Sequence, residues 1–380
     1  MAVLNTGDVL GGLRLVDHHC HSVRGDDLDR PAFEALLTEA GVAPVPGGST
    51  FDTPLGVAVR RWCAPVLELP AHAAPQEYLA RRAELGAAEA NRRLLAAAGA
   101  SDLLLDSYRP PHALAADALA AASGARVHRV LRLETVAEQV AETGVPAVGF
   151  PRALIAALAE QAAGAVALKS VAAYRTGLDL DPTRPEPAEV AAAAGAWLAR
   201  GERAAAYRLD EPVLVRFLLW AGVDLGLPLQ LHTGFGDPDL RLHRSDPALL
   251  GDFCAAVAGT GTRVLLLHCY PYHRQAAYLA SVYPHVYLDV GLALNHVGAG
   301  APRVLAEALE LAPFGKLLYS SDAFGLAELY HLGAVQFRRA LGGVLDRWVG
   351  DGDMAAADAE RYATMIGAGN ARRVYDLAGR

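Results

Sequence analysis

Two histidines spaced one residue apart, His19 and His21, follow the apolar run Leu13-Arg14-Leu15-Val16 in the segment Asp17-His18-His19-Cys20-His21. Alternate residues of a strand project to the same side, so both imidazoles can reach one point in space. Two imidazoles converging where a buried strand ends are a ready pair of metal ligands. A cluster of hydrogen-bonded core histidines is the competing reading. A pair alone holds a metal poorly, so the motif requires partners from elsewhere in the chain. His18 and Cys20 alternate away from the pair and are expected to pack outward against helices.

Four further apolar runs end on residues of the same chemical kind. Ala165-Val166-Ala167-Leu168 leads to Lys169, and Leu229-Gln230-Leu231 leads to His232 and then Thr233-Gly234-Phe235-Gly236-Asp237. Val264-Leu265-Leu266-Leu267 leads to His268 and Cys269-Tyr270-Pro271, and Leu317-Leu318-Tyr319-Ser320-Ser321 leads to Asp322. One polar residue at a strand end can merely cap a core, but a His, Lys or Asp on each of five strand ends argues for a site. Lys169 stands out further, because Lys169 and Lys316 are the only lysines among 34 basic residues. A lysine inside an apolar strand of an arginine-rich chain invites a chemical explanation.

The elements that must position these residues can be read in order. Strand-like runs occupy Leu13–Asp17, Asp102–Asp106, Arg126–Leu133, Ala165–Val171, Pro228–His232, Arg263–His268, His285–Asp289 and Lys316–Ser320. Helical composition fills Pro111–Ala122, Thr135–Glu142, Pro151–Ala162, Asp210–Ala221, Pro247–Val257, Tyr272–Val282 and Pro302–Leu311. Alternation of this kind with near-continuously apolar strands predicts a parallel sheet. Eight such units predict an α/β fold of the (β/α)8 TIM-barrel type, with every strand end on one rim. A doubly wound open sheet is the structural alternative. Residues 22–100 are too long for a simple crossover. They read as a helical insertion after the first strand, with helices at Pro31–Ala40 and Pro75–Ala98, serving as a lid or as structural padding. Leu326–Arg380 reads as extra C-terminal helices, and the whole of 1–380 as a single domain.

Composition excludes several classes of partner. The content is 53% hydrophobic and 20% charged, with a net charge of −8 and no block of like charge. That leaves no footprint for nucleic acid or an anionic membrane. The first residues lack the basic and apolar segments of a signal peptide, and no apolar stretch reaches spanning length. Cys20, Cys63, Cys254 and Cys269 form no regular spacing. The expectation is a soluble cytoplasmic enzyme acting on a small molecule, with homo-oligomerisation left open.

With these residues in view, the chain resembles the amidohydrolase superfamily. The shared pattern is His-x-His after the first strand, Lys on the fourth, His on the fifth and sixth, and Asp on the eighth. The segments LKSVAAYRTGL, LQLHTGFGD, LLLHCYPYHR, VYLDVGL and KLLYSSDA are similar to the amidohydrolase-2 branch. The resemblance implies His19, His21 and His232 as metal ligands, with Asp322 as ligand and proton acceptor. Zinc suits such donors, as do manganese and iron. Lys169 could be a carbamate bridging two ions, a partner of Asp322 or Glu134, or a contact to a substrate carboxylate. The carbamate is favoured because a lysine can lose its proton and an arginine cannot. His268 would then ligate a second ion; with one ion it would be an acid/base or polarising catalytic group. Arg175, Tyr174, Arg132 and Glu134 are the candidate substrate contacts, Arg175 through its planar fork.

The activity this implies is hydrolysis of an amide or related C–N bond in a small carboxylate-bearing substrate, by a hydroxide formed at a zinc site of one or, preferably, two ions. A non-oxidative decarboxylase with a mononuclear site is the nearest alternative. Uronate-isomerase-like or lactonase activity, or a non-catalytic metal-binding module, are more distant.

Overall fold

Leu15–Cys20 forms the first strand, β1, with all six residues buried. The computed structural model describes residues 6–42 and 44–377, and its chain packs as two units. The first unit takes residues up to His128, with Gly236–Pro238 and the chain from Asp289 onward; the second takes Arg129–Phe235 and Asp239–Leu288.

In the first unit β1 pairs in parallel with β2 (Ala100–Asp106), placing Asp17 opposite Leu103 and Cys20 opposite Leu105. Three steps along β1 therefore match two along β2, which makes a bulge at the His18–His19 level. The strand runs on past the expected end at Asp17 to Cys20, so His19 lies within it and His21 directly follows it. The expected strand at Lys316–Ser320 does not form a regular ladder. Its backbone instead runs extended beside β1, where His18 N donates to Tyr319 O (3.1 Å), Asp322 N to His19 O (3.1 Å) and His21 N to Ala323 O (2.8 Å). The left-handed backbone of Asp322 (φ 46°) interrupts the regular strand geometry there.

The expected helix at Pro31–Ala40 is shorter, Arg30–Ala35, capped by the Asp29 side chain on Ala32 N. The Pro75–Ala98 helix forms with the expected bounds and closes on Gly99 in the left-handed conformation. Gly86 (φ 72°, ψ 158°) kinks it, and the Asp27 carboxylate accepts from Ala87 N at 2.7 Å to restart the second half. Its buried face includes Tyr78, Arg82, Ala90, Leu94 and Leu95. Tyr78 Oη and Arg82 Nε both donate to Glu328 Oε1 at 2.9 Å, tying it to the Ala327–Asp351 helix. The expected helix at Pro111–Ala122 begins only at Ala116, after His112 has taken a positive φ of 59°.

The second unit holds a parallel sheet. Its strands are β3 (Arg126–Arg132, from Arg129 on), β4 (Ala165–Ser170), β5 (Leu229–Thr233), β6 (Val264–His268) and β7 (Val286–Leu288). They pair in chain order, with Arg132 opposite Lys169, Lys169 opposite Gln230, and Thr233 opposite His268. The connections run through helices such as Leu133–Glu142, Pro212–Asp224 and His273–Val282. β4, β5 and β6 are buried throughout, as parallel strands covered on both faces must be. The α/β class with parallel strands, read from the sequence, is what the chain adopts.

Candidate metal centre

In the first unit His19 Nε2 lies 3.3 Å and His21 Nε2 3.6 Å from the same atom, Oδ1 of Asp322. The two imidazoles meet edge to face with centroids 5.2 Å apart. A tetrahedral site with bonds of about 2.1 Å holds its ligand atoms about 3.4 Å from one another. Each imidazole nitrogen therefore stands from Asp322 Oδ1 at about the spacing a shared ion imposes, and nitrogen with carboxylate oxygen is a donor set that zinc, manganese and iron accept. His19 is fully buried and His21 nearly so. Asp106, at the end of β2, approaches the two histidines: one donor atom each from His19, His21 and Asp106 fall within 4.8 Å of one another.

The turn bearing Asp322 is held from both sides. Ser321 donates from its backbone N to Asp17 Oδ1 and from its hydroxyl to Asp17 Oδ2, and Asn295 Nδ2 donates to Ser321 O at 3.1 Å. Ser321 Oγ also accepts from Ala323 N at 3.1 Å. These bonds offset a left-handed conformation that costs a residue with a Cβ roughly 1–3 kcal/mol. Burial pushes the Asp17 carboxyl up to about 7 against the opposing pull of its Ser321 bonds. His18 turns away, as the alternation requires, with Nδ1 on Tyr375 Oη (2.8 Å) and Nε2 on Asp289 Oδ2 (3.1 Å). Cys20 donates to Leu104 O, and burial pushes its thiol well above the usual range. Beside His21 stands an aromatic wall: Phe324 lies 5.4 Å from its ring and stacks on the half-exposed Tyr108.

In the second unit His232 and His268 bring their rings within 4.6 Å, and Tyr174 lies 4.5 Å from His232. His268 and Cys269 both take positive φ (68° and 61°), so the end of β6 is strained where its histidine emerges. Gly234 (φ 76°) follows His232 closely, and a Cβ there would sit 2.4 Å from Tyr270 O. That approach lets Phe235 N donate to Tyr270 O at 2.8 Å, locking the loops after β5 and β6 together.

Lys169 is buried, in register between Arg132 and Gln230. Glu134 Oε1 accepts from Ser170 Oγ (2.6 Å) and Val171 N (2.9 Å), fixing the end of β4. Burial pushes its carboxyl up, and its Oε2 has no hydrogen-bond partner among the described residues. Arg175 pairs with Glu138 at 3.1 Å, while its Nε likewise has none. The structure thus gathers His19, His21 and Asp322 in one unit and His232, His268 and Tyr174 in the other. Asp106, the Asp17–Ser321 pair and the Phe324–Tyr108 wall were missed in the sequence. Asp106 carried a usable signal, since it too is an acidic residue ending an apolar strand.

Residues 16–377, which run through both units, match the amidohydrolase family (Amidohydro_2), and the chain belongs to that family. Among solved structures, one from Lactobacillus casei ATCC 334 described as a metal-dependent hydrolase is 30% identical, with a TM-score of 0.84 over 99% of this chain and 98% of that one. A glucuronate isomerase from Caulobacter crescentus shares the fold at 18% identity, with a TM-score of 0.68 over 100% of this chain and 94% of its own. Protein fluG of Emericella nidulans is 37% identical over 222 residues, which is 56% of this chain and 26% of that protein. Among the described residues, no helix is long and apolar enough to cross a membrane.

Proposed function

We propose that this chain is a metal-dependent hydrolase that cleaves an amide or related C–N bond of a small carboxylate-bearing substrate, on a (β/α)8 scaffold. The observation that carries the reading is the convergence of His19 and His21 on Asp322 Oδ1 at 3.3 and 3.6 Å. Family membership and the Lactobacillus neighbour support it. His19, His21, His232 and Asp322 would hold an ion, and Lys169 as a carbamate with His268 would hold a second. Zinc is the proposed metal. When bound, it supplies Lewis acidity and lowers the pKa of water from about 15.7 to about 7.

The chain's own groups supply the rest. Asp322 accepts a proton from the attacking water as the C–O bond forms, then delivers it to the amine nitrogen as the C–N bond breaks. With a single ion, His268 would instead polarise the substrate or act as an acid or base. Arg132, Tyr174, Arg175 and Glu134 are the proposed substrate contacts. The buried Arg175 Nε and Glu134 Oε2, a donor and an acceptor lacking hydrogen-bond partners among the described residues, favour a polar substrate. Four buried cysteines, none in a disulfide among the described residues, suit a reducing, cytoplasmic setting.

The test is a panel of N-acyl amino acids, dipeptides, lactones and aryl carboxylates, run alongside elemental analysis. Hydrolysis of an amide, two ions per chain and a carboxylated Lys169 are expected, with turnover in Asp322→Asn lowered by about 10²–10⁴. Release of CO2 from an aryl carboxylate, with one ion and an unmodified lysine, would replace the hydrolase with a decarboxylase.

A further inference from the structure

We propose that Asp106 is an additional metal ligand, delivered by β2 to the ion that His19 and His21 hold. The inference rests on the metal reading above and extends it to a strand that the histidine, lysine and aspartate pattern leaves out. Three observations carry it. Donor atoms of His19, His21 and Asp106 cluster within 4.8 Å, and all three residues are buried. The β1–β2 ladder ends with Cys20 opposite Leu105, so His21, just past β1, and Asp106, the last residue of β2, emerge side by side. The bulge at His18–His19 sets that register. Finally, Asp106 Oδ1 accepts from Tyr108 N at 2.8 Å, which holds the carboxylate in one orientation.

The carboxylate is 2% exposed and set against two imidazoles, where a nearby positive charge favours its ionised form. A divalent ion held by the same imidazoles supplies that charge. With Asp106 the two imidazoles gain a carboxylate from a second strand. That set is richer in hard oxygen than the histidine cluster alone and is well suited to manganese as well as zinc.

The experiment uses the full chain stripped of metal and titrated with Mn2+ by the loss of its free-ion electron resonance signal, and with Zn2+ against a competing chelator. Wild type, Asp106→Asn and His19→Ala are compared, with circular dichroism to confirm folding. Weakening of both ions at least tenfold in Asp106→Asn is expected. A smaller change in Asp106→Asn, alongside a large loss in His19→Ala, overturns the Asp106 assignment and leaves the metal reading intact. Failure of wild type to bind either ion overturns both. Should Asp106→Asn not fold, anomalous scattering from Mn2+ in the wild-type protein decides: an ion bonded to the Asp106 carboxylate supports the assignment, and an ion away from it overturns it.

Discussion

Ser321 donates two hydrogen bonds to Asp17, from its backbone N to Oδ1 at 2.9 Å and from its hydroxyl to Oδ2 at 2.5 Å. Asp17 precedes His19 by two residues and Ser321 adjoins Asp322, so one side chain sets the histidine-bearing strand against the turn that presents the carboxylate.

Asp17→Ala is expected to remove both bonds and strand the buried Ser321 N–H, a loss of about 1–3 kcal/mol in unfolding free energy. Because the pair positions ligands rather than binding metal, Zn2+ affinity should fall about 10–100-fold in the same variant. Chelator competition and urea denaturation measure the two effects. A destabilised variant with unchanged Zn2+ affinity would show that the pair serves the fold alone.

Gly234 combines a left-handed backbone with a near contact to Tyr270 O. Gly234→Ala should therefore cost the strain of a positive φ, roughly 1–3 kcal/mol, plus whatever displacement the β5 and β6 loops undergo. Substitution at Gly226, which is also left-handed but has nothing within 4 Å of an added Cβ, should cost only the backbone strain. Equal midpoints of thermal unfolding for Gly234→Ala and Gly226→Ala would contradict the steric argument.

Asp102 sets a pH dependence of stability. Burial acts to raise its pKa, but bonds from His128 Nε2 (2.9 Å), Ser101 Oγ (2.7 Å) and Arg126 (2.8 Å) win and hold the carboxyl below its usual range. A pKa lower in the folded than in the unfolded state contributes stability above the ordinary carboxylate range. That stability is lost as pH falls through the folded value. Urea midpoints measured downward from about pH 6 should decline less steeply in Asp102→Asn than in wild type. Parallel profiles would remove Asp102 from the account of acid unfolding.

Much of the candidate site is legible in residue order, and the reason is local. A strand's two-residue period places His19 and His21 on one side, and a polar residue closing an apolar run emerges where the strand ends. Lys169, His232 and His268 are visible for that reason, as is the scarcity of lysine that singles out Lys169. The parallel strands of the second unit are likewise written in their apolar runs.

What only tertiary structure decided concerns partners far apart in the chain. The bulge in β1 exists only in relation to β2, so alternation alone could not show that Asp106 arrives beside His21. The run at Lys316–Ser320 has the apolar pattern of a strand, yet its backbone departs from a regular ladder at Asp322, where Ser321 is bound by Asp17 from 304 residues away. Gly86 sits in a sequence that reads as one unbroken helix, and the Asp27 carboxylate meets the helix where it restarts. Periodicity reports which way a side chain points from its own strand or helix. Which group it meets there depends on register and packing between elements, and these arise only when the chain has folded.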